Sequence, residues 1–84
     1  MQDDMPNLRR DRQPMPEFVK HALLERGLMG AYGERPPYQR NDYLLWINSA
    51  KSQETKGKRL RQMLNELETG GVYMNMKHPA SKKE

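Results

Sequence analysis

The side chains best suited to chemistry in this 84-residue sequence are basic residues that crowd a short stretch after its single tryptophan, Trp46. They are Lys51, Lys56, Lys58, Arg59 and Arg61. Cations beside an aromatic ring can meet the phosphates of nucleic acid or an acidic partner. On a helix, Lys56 and Arg59 would share one side, whereas Lys58 and Arg61 would turn away from it. The charge is therefore spread around the helix, and a solvated basic face is the preferred interpretation.

Nucleic-acid binding is the alternative interpretation of this cluster. The net charge of +4 and an isoelectric point near 9.6 permit it without requiring it. Two consecutive helices with a short break are also reminiscent of helix-turn-helix DNA readers. A further partner helix and a dimer element are not evident in the sequence, so this hypothesis ranks second.

Groups suited to catalysis or metal binding are sparse. His21 and His78 lie far apart, and neither has a second ligand at metal-binding spacing. The absence of cysteine excludes disulfides, thiolate metal sites and thiol catalysis. Glu54, Glu66 and Glu68 fall at predicted helix-surface positions, where ion pairing and solubility explain them and burial is not expected. We therefore expect no enzyme activity, no metal and no cofactor.

Methionine is common in the sequence, with seven in total. Met63 lies in a leucine-rich helical pattern and is predicted to be a core residue. Met74 and Met76 lie in a segment with little helix to bury them, and flexible methionines can adapt to several binding partners. Met74 and Met76 are therefore candidates for an interaction surface.

The overall composition argues against a membrane protein. Charged residues make up 31% of the chain, and the mean hydropathy of −1.13 leaves no long apolar run, so no membrane insertion is expected. Asp3, Asp4 and Pro6 stand where a signal peptide would need a basic start followed by apolar residues. We therefore expect a cytoplasmic protein.

The pattern of apolar residues predicts which elements position these side chains. We predict that residues 1–15 form a flexible arm, that residues 16–77 form a single helical domain and that residues 78–84 form a disordered tail. A first amphipathic helix should begin at Pro16 and stop at Gly27. Its apolar side should carry Phe18, Val19, Ala22 and Leu23.

Between Gly27 and Gln39, glycines and prolines predict a connector without a helix, whose aromatic residues, including Tyr38, fold back on the core. A second helix should then begin at Asn41 or Asp42. It should centre the fold on a face formed by Tyr43, Leu44, Ile47 and Ala50.

A third helix should end at Gly70. Its strongest feature is an apolar series at spacings of three, four and seven: Leu60, Met63, Leu64 and Leu67. Alternation over residues 72–77 predicts one short extended segment. The predicted fold is therefore all-α: a small bundle of about three helices with a long Pro/Gly-containing connector and a short extended C-terminal segment.

Several short motifs in the second half of the chain carry a family resemblance. They are Tyr43-Leu44-Leu45-Trp46-Ile47, Ala50-Lys51, Glu54-Thr55, Arg59-Leu60 and Gly70. In this pattern the sequence resembles the YdeI/OmpD-associated family of bacterial proteins, over residues 38–77. Lys56 and Arg59 match basic positions of the family, whereas Gly57 departs from its usual helix former.

The resemblance implies a family named for association with an outer-membrane porin and for protection against bacteriocins or cationic peptides. It brings no catalytic residues. At the shared positions Trp46 should pack, Ala50 should allow close helix approach, and Arg59 should stack on or bridge to a neighbour.

We therefore expect a non-enzymatic accessory protein, linked to bacterial envelope stress or antimicrobial-peptide resistance, that binds another protein. A small basic nucleic-acid-binding protein is the alternative. The oligomeric state and the partner's identity stay open. The candidate interaction surface consists of Trp46, Lys51, Lys56, Lys58, Arg59, Arg61, Met74 and Met76.

Overall fold

The computed structural model describes residues 12–74 and 76–77, with side chains described as far as residue 74. Four helices follow one another along the chain: α1 (Glu17–Glu25), α2 (Met29–Glu34), α3 (Pro37–Asn48) and α4 (Gln53–Thr69). A hairpin of two short strands, β1 (Val72–Tyr73) and β2 (Met76–Lys77), follows α4. The prediction of a small all-α bundle is confirmed. Within the described residues, no helix combines the length and apolar character needed to cross a bilayer.

Local sequence signals set several of the helix ends. Pro16 is the N-cap of α1, and Gly27 follows its end with a φ of +65°, a left-handed conformation that glycine adopts without strain. Ser52 caps α4, because its hydroxyl accepts a hydrogen bond from the amide of Thr55 at 3.1 Å. Gly70, with a φ of +74°, ends α4 as predicted.

The predicted helix-free connector is wrong, because α2 lies within it. Leu28 and Tyr32 are buried there, whereas Gly30 and Gly33 are exposed, with open space where a side chain would stand. Burial of two large side chains, at roughly 1.5–3 kcal/mol each, outweighs about 1 kcal/mol lost at each helical glycine.

The predicted start of the next helix is also wrong, since α3 begins at Pro37 rather than at Asn41 or Asp42. Proline lacks the N–H that the first turn of a helix leaves unpaired, and its fixed φ already suits a helix. Helix α3 therefore gains a full turn over its predicted length.

The core lies where α1, α2, α3 and α4 meet. The described residues include one buried cluster: Val19, Leu23, Leu28, Tyr32, Tyr43, Leu44, Ile47, Met63, Leu64 and Leu67. Two aromatic residues expected against the core are more open than predicted, since Phe18 is 42% exposed and Tyr38 is 48% exposed. The Tyr38 ring instead packs edge-on against Tyr73, with ring centroids 6.1 Å apart.

The single extended segment predicted over residues 72–77 is a hairpin. Val72 pairs with Lys77 and Tyr73 with Met76 in antiparallel register. The chain reverses at Met74, which has a φ of +53°. No Gly-rich turn marks this reversal in the sequence, and for that reason the alternation alone suggested one strand.

The boundaries at residues 15 and 77 stay predictions. Residues 1–11 of the predicted arm and the predicted tail, 78–84, lie outside the described residues. The last residues of the arm do contact the domain: the amide of Gln13 donates to Asn41 Oδ1 at 2.7 Å, and Asn48 Nδ2 donates to the carbonyl of Pro14 at 3.1 Å. Met15 packs against the core cluster.

Candidate functional site

Two cations of the basic cluster are used to attach α4 to the end of α3. Lys56 Nζ donates to the carbonyl of Asn48 at 3.0 Å, and Arg59 Nη1 donates to the carbonyl of Trp46 at 2.6 Å. The last carbonyls of a helix lack intrahelical donors and carry partial negative charge, which favours cations there. Lys56 and Arg59 therefore act as a C-terminal cap that α4 supplies to α3.

Trp46 is half-buried and packs against the core cluster. The guanidinium of Arg59 lies over its ring, 5.3 Å from the ring centroid, which is a cation–π geometry. The prediction that Arg59 stacks on or bridges to a neighbour is therefore confirmed. One face of the Trp46 ring is occupied by this contact.

The other two cations of α4 lie on a different side of the helix. Lys58 and Arg61 are exposed and line a groove with a volume of about 420 Å³. Gln62, Asn65 and Thr69 continue the lining along α4. Val72 of the hairpin and the buried Glu66 complete its described lining.

The remaining members of the candidate surface do not join this groove. Lys51 is exposed in the turn between α3 and α4. Met74 is half-buried and packs against the core cluster, and Met76 lies in β2. The structure therefore divides the predicted surface into a capping pair, a groove pair and residues elsewhere.

The carboxylate of Glu66 is buried and accepts several hydrogen bonds. Its side chain accepts hydrogen bonds from the Tyr43 hydroxyl at 2.5 Å, the Gln62 amide at 3.0 Å and the backbone amide of Met74 at 2.9 Å. The residue is only 5% exposed, so the expectation of a surface position is wrong. Three donors compensate the cost of removing this carboxylate from water.

The sequence does contain a signal for the burial of Glu66. It lies three residues after Met63 and directly before Leu67, so it falls within the apolar stripe of α4. Because Glu66 is charged, its side chain was predicted to lie at the solvent-exposed surface. The hydroxyl that receives it, on Tyr43, belongs to another helix and cannot be inferred from periodicity within α4.

The environment of Tyr43 disfavours ionisation of its hydroxyl. Burial first, then the hydrogen bond to Glu66 and the charge of that carboxylate, raise the pKa of the Tyr43 phenol well above its ordinary value, while Arg35 opposes the shift. Tyr43 therefore remains a neutral donor to Glu66 at physiological pH.

A second buried polar group extends from Glu66 towards α2. Arg35 Nη2 donates to the main-chain carbonyl of Glu66 at 2.9 Å, and Arg35 Nη1 donates to Gln39 Oε1 at 3.3 Å. Arg35 and Gln39 are both buried. They tie the loop between α2 and α3 to the C-terminal half of α4. Neither residue was singled out from the sequence, because the glycines and prolines around them predicted a connector without a helix, in which only the aromatic residues were expected to contact the core.

The histidine that the structure describes lies at the surface. His21 Nε2 lies 3.8 Å from Glu17 Oε1, one helical turn away, and both side chains are exposed. This carboxylate neighbour corrects the sequence interpretation, which assigned His21 none. Within residues 12–74, no group of three His, Cys, Asp or Glu side chains could hold a metal ion. His78 lies outside the described residues.

A protein-family model described as "Bacteriocin-protection, YdeI or OmpD-Associated" matches residues 14–70. This range exceeds half of the chain and spans all four helices. The chain belongs to the YdeI/OmpD-associated family. The resemblance predicted from the motifs of the second half is thereby confirmed.

The match to the YdeI/OmpD-associated family begins further towards the N-terminus than the motifs indicated. It starts at Pro14, which contacts α3 through Asn48, and it stops at Gly70, the end of α4. The hairpin lies beyond the matched range. Neither a curated protein nor a solved structure matches the chain significantly.

Proposed function

We propose that this protein is a non-enzymatic accessory protein that supports bacteriocin protection, or resistance to envelope stress and antimicrobial peptides, by binding another protein. The observation that carries the proposal is the family match, which covers α1 to α4 without interruption. The role named in the family description is protective and specifies no reaction.

The charge of the chain favours action through a partner. A net charge of +4 opposes direct capture of a cationic peptide, because like charges repel at long range. A protein that protects against such peptides without an acidic surface would act on another component of the cell. We propose that the protein itself acts in the cytoplasm.

The polar side chains of Glu66, Lys56 and Arg59 form hydrogen bonds within the fold, and this supports a binding role rather than a catalytic one. The carboxylate of Glu66 is held by three hydrogen-bond donors. Lys56 and Arg59 are held by main-chain carbonyls of α3. Such groups are suited to fixing the fold rather than to transferring protons.

Nucleic-acid binding is the second candidate function. The exposed pair Lys58 and Arg61 favours it, since each could contact a phosphate. Against it, one face of Trp46 is covered by Arg59, which weakens the ring as a platform for stacking bases.

The function can be tested in a bacterium from which the corresponding family gene has been deleted. We expect reduced survival after exposure to a bacteriocin or a cationic peptide, and restoration by this chain. Unchanged survival of the deletion strain would contradict the protective role. A parallel pull-down with and without nuclease separates the two candidates: capture that resists nuclease supports a protein partner, and capture that nuclease abolishes supports nucleic acid.

A further inference from the structure

The groove along the outer side of α4 contains two cations with no assigned role in the fold. Lys58 and Arg61 are exposed, and within the described residues neither makes a hydrogen bond or an ion pair. Other cations near α4 are engaged: Arg26 pairs with Glu68 at 2.9 Å, and Arg59 bonds to α3. The two groove cations are therefore available to a ligand.

The remaining lining of the groove adds hydrogen-bonding capacity along one side of α4. Gln62, Asn65 and Thr69 follow the cations at intervals of three or four residues, so they form a continuous row on successive turns. Asn65 accepts from Arg26 through Oδ1, which orients its amide nitrogen as a free donor. From Lys58 to Thr69 this row extends roughly 16 Å, the length of about five residues of extended peptide.

The carboxylate of Glu66 does not offer this groove an open acceptor. Glu66 is only 5% exposed, and its side chain already accepts hydrogen bonds from the Tyr43 hydroxyl, the Gln62 amide and the backbone amide of Met74. The accessible lining therefore offers two cations beside side chains that can donate and accept hydrogen bonds, which suits an anionic peptide.

The spacing of the cations fits a peptide that carries carboxylates at alternate positions. Side chains two residues apart on an extended peptide lie about 7 Å apart on one face. Lys58 and Arg61, three residues apart on one helix, have Cβ atoms about 5–6 Å apart. Two carboxylates of one extended segment can therefore meet both cations at once.

An acidic peptide fits the groove better than nucleic acid does. No aromatic side chain is among its described lining residues, so bases would find no stacking surface. Among its described lining residues the groove has two cations, and non-specific nucleic-acid binding depends on many phosphate contacts.

We propose that the groove formed by Lys58, Arg61, Gln62, Asn65 and Thr69 binds an acidic, extended segment of a protein partner. This inference rests on the proposed function as a protein-binding accessory factor and names the chemistry of the contact. Lys58 and Arg61 pair with carboxylates, and the row of polar side chains holds the peptide backbone.

The test is fluorescence anisotropy of the full chain with a short labelled peptide of alternating glutamate and serine. The matched ligand replaces each glutamate with glutamine. We expect binding of the glutamate peptide that weakens about tenfold in the double variant Lys58→Gln/Arg61→Gln, since two exposed ion pairs are lost. The glutamine peptide should bind no better than the double variant binds the glutamate peptide.

A charge-matched control separates the groove from general electrostatics. Arg12→Gln/Lys20→Gln removes the same charge at exposed positions outside the groove lining and should retain affinity within about twofold. Equal weakening by both double variants would overturn the proposal, as would failure of the wild-type protein to bind the glutamate peptide. Tighter binding of a single-stranded oligonucleotide, lost in the groove variant, would also overturn it.

The pull-down distinguishes failure of this inference from failure of the proposed function. Nuclease-resistant capture of a partner that persists in Lys58→Gln/Arg61→Gln would leave the protein-binding function standing and reject the groove as its site. Circular dichroism should show the same helix content for both double variants, because neither set of side chains contributes a described hydrogen bond.

Discussion

The two halves of α4 attach to α3 by different chemistry. In the first half, Lys56 and Arg59 donate from partly exposed side chains to the end of α3. In the second half, the buried carboxylate of Glu66 accepts hydrogen bonds from the Tyr43 hydroxyl of α3 and from two further donors. Solvent can replace the partners of the first contact, whereas the Tyr43 hydroxyl of the second contact is buried away from water.

The residues of α4 that attract attention in the sequence are therefore not the ones that contribute most to the stability of the fold. The first half of α4 carries the basic cluster and attracts a functional interpretation. The second half follows an ordinary leucine pattern, yet it contains the polar contact whose loss should destabilise the domain most. Within the first half, the same distinction separates the capping cations from Lys58 and Arg61, which the fold leaves available.

The largest expected effect comes from removing the buried carboxylate. Glu66→Ala leaves the buried Tyr43 hydroxyl and the partly buried Met74 amide without their acceptor, and we expect a loss of roughly 3 kcal/mol in the free energy of unfolding. Urea denaturation followed by circular dichroism measures it. Glu68→Ala, which removes an exposed carboxylate two residues away, should cost less than about 1 kcal/mol. Equal costs for the two variants would show that Glu66 is no more important than a surface residue.

The sequence was sufficient for the parts of the fold that depend on local signals. The stripe of α4, the Gly70 stop and the buried face of α3 follow from periodicity and from glycine's tolerance of positive φ. It was insufficient for α2, where burial of Tyr32 against other helices overrides two glycines.

The candidate site was predictable only in part, for a related reason. The groove cations Lys58 and Arg61 were named from the sequence, because charge and helical spacing are visible there. The acceptors of Lys56 and Arg59 are main-chain carbonyls of another helix, and two of the three donors to Glu66 come from α3 and the hairpin. Contacts between distant segments leave no periodic trace in either one.

Alkaline pH should weaken the contact between Tyr43 and Glu66 in the second half of α4. The pKa of Tyr43 is raised in the folded state, so its stabilising effect is complete below the unfolded value near 10 and declines as pH rises above it. The free energy of unfolding should fall above pH 10 with a slope of up to about 1.4 kcal/mol per pH unit from this group.

Urea titrations at several pH values between about 9 and 11 measure this slope. Tyr43→Phe should reduce it, because this variant has no phenol to ionise at that position. An unchanged slope in Tyr43→Phe would indicate that other groups account for the alkaline loss of stability.

In the first half of α4, replacing a capping cation should cost more free energy of unfolding than replacing an available cation. We expect this difference to be smaller than the one between the Glu66 and Glu68 variants. Arg59→Ala removes the hydrogen bond to the Trp46 carbonyl and the contact with the Trp46 ring, and we expect a loss of about 1–2 kcal/mol. Lys58→Ala should change stability by less than about 0.5 kcal/mol, because it removes an exposed side chain with no described partner. A greater loss for Lys58→Ala would reverse the assignment of capping and available cations.

The smallest expected effect is a gain in stability at Gly57, between these cations. Gly57 lies inside α4, and a Cβ added there would meet only the Arg61 guanidinium at 3.7 Å, an ordinary contact with a flexible side chain. Gly57→Ala should therefore stabilise the domain by about 0.5–1 kcal/mol through reduced chain entropy in the unfolded state. Thermal denaturation should show the increase, with Gly27→Ala as the opposite control, because Gly27 has a φ of +65° that alanine adopts only with strain. Destabilisation by Gly57→Ala would mean that α4 needs a flexible point between Lys56 and Lys58. The description of the groove residues as a continuous row on one regular helix would then be wrong.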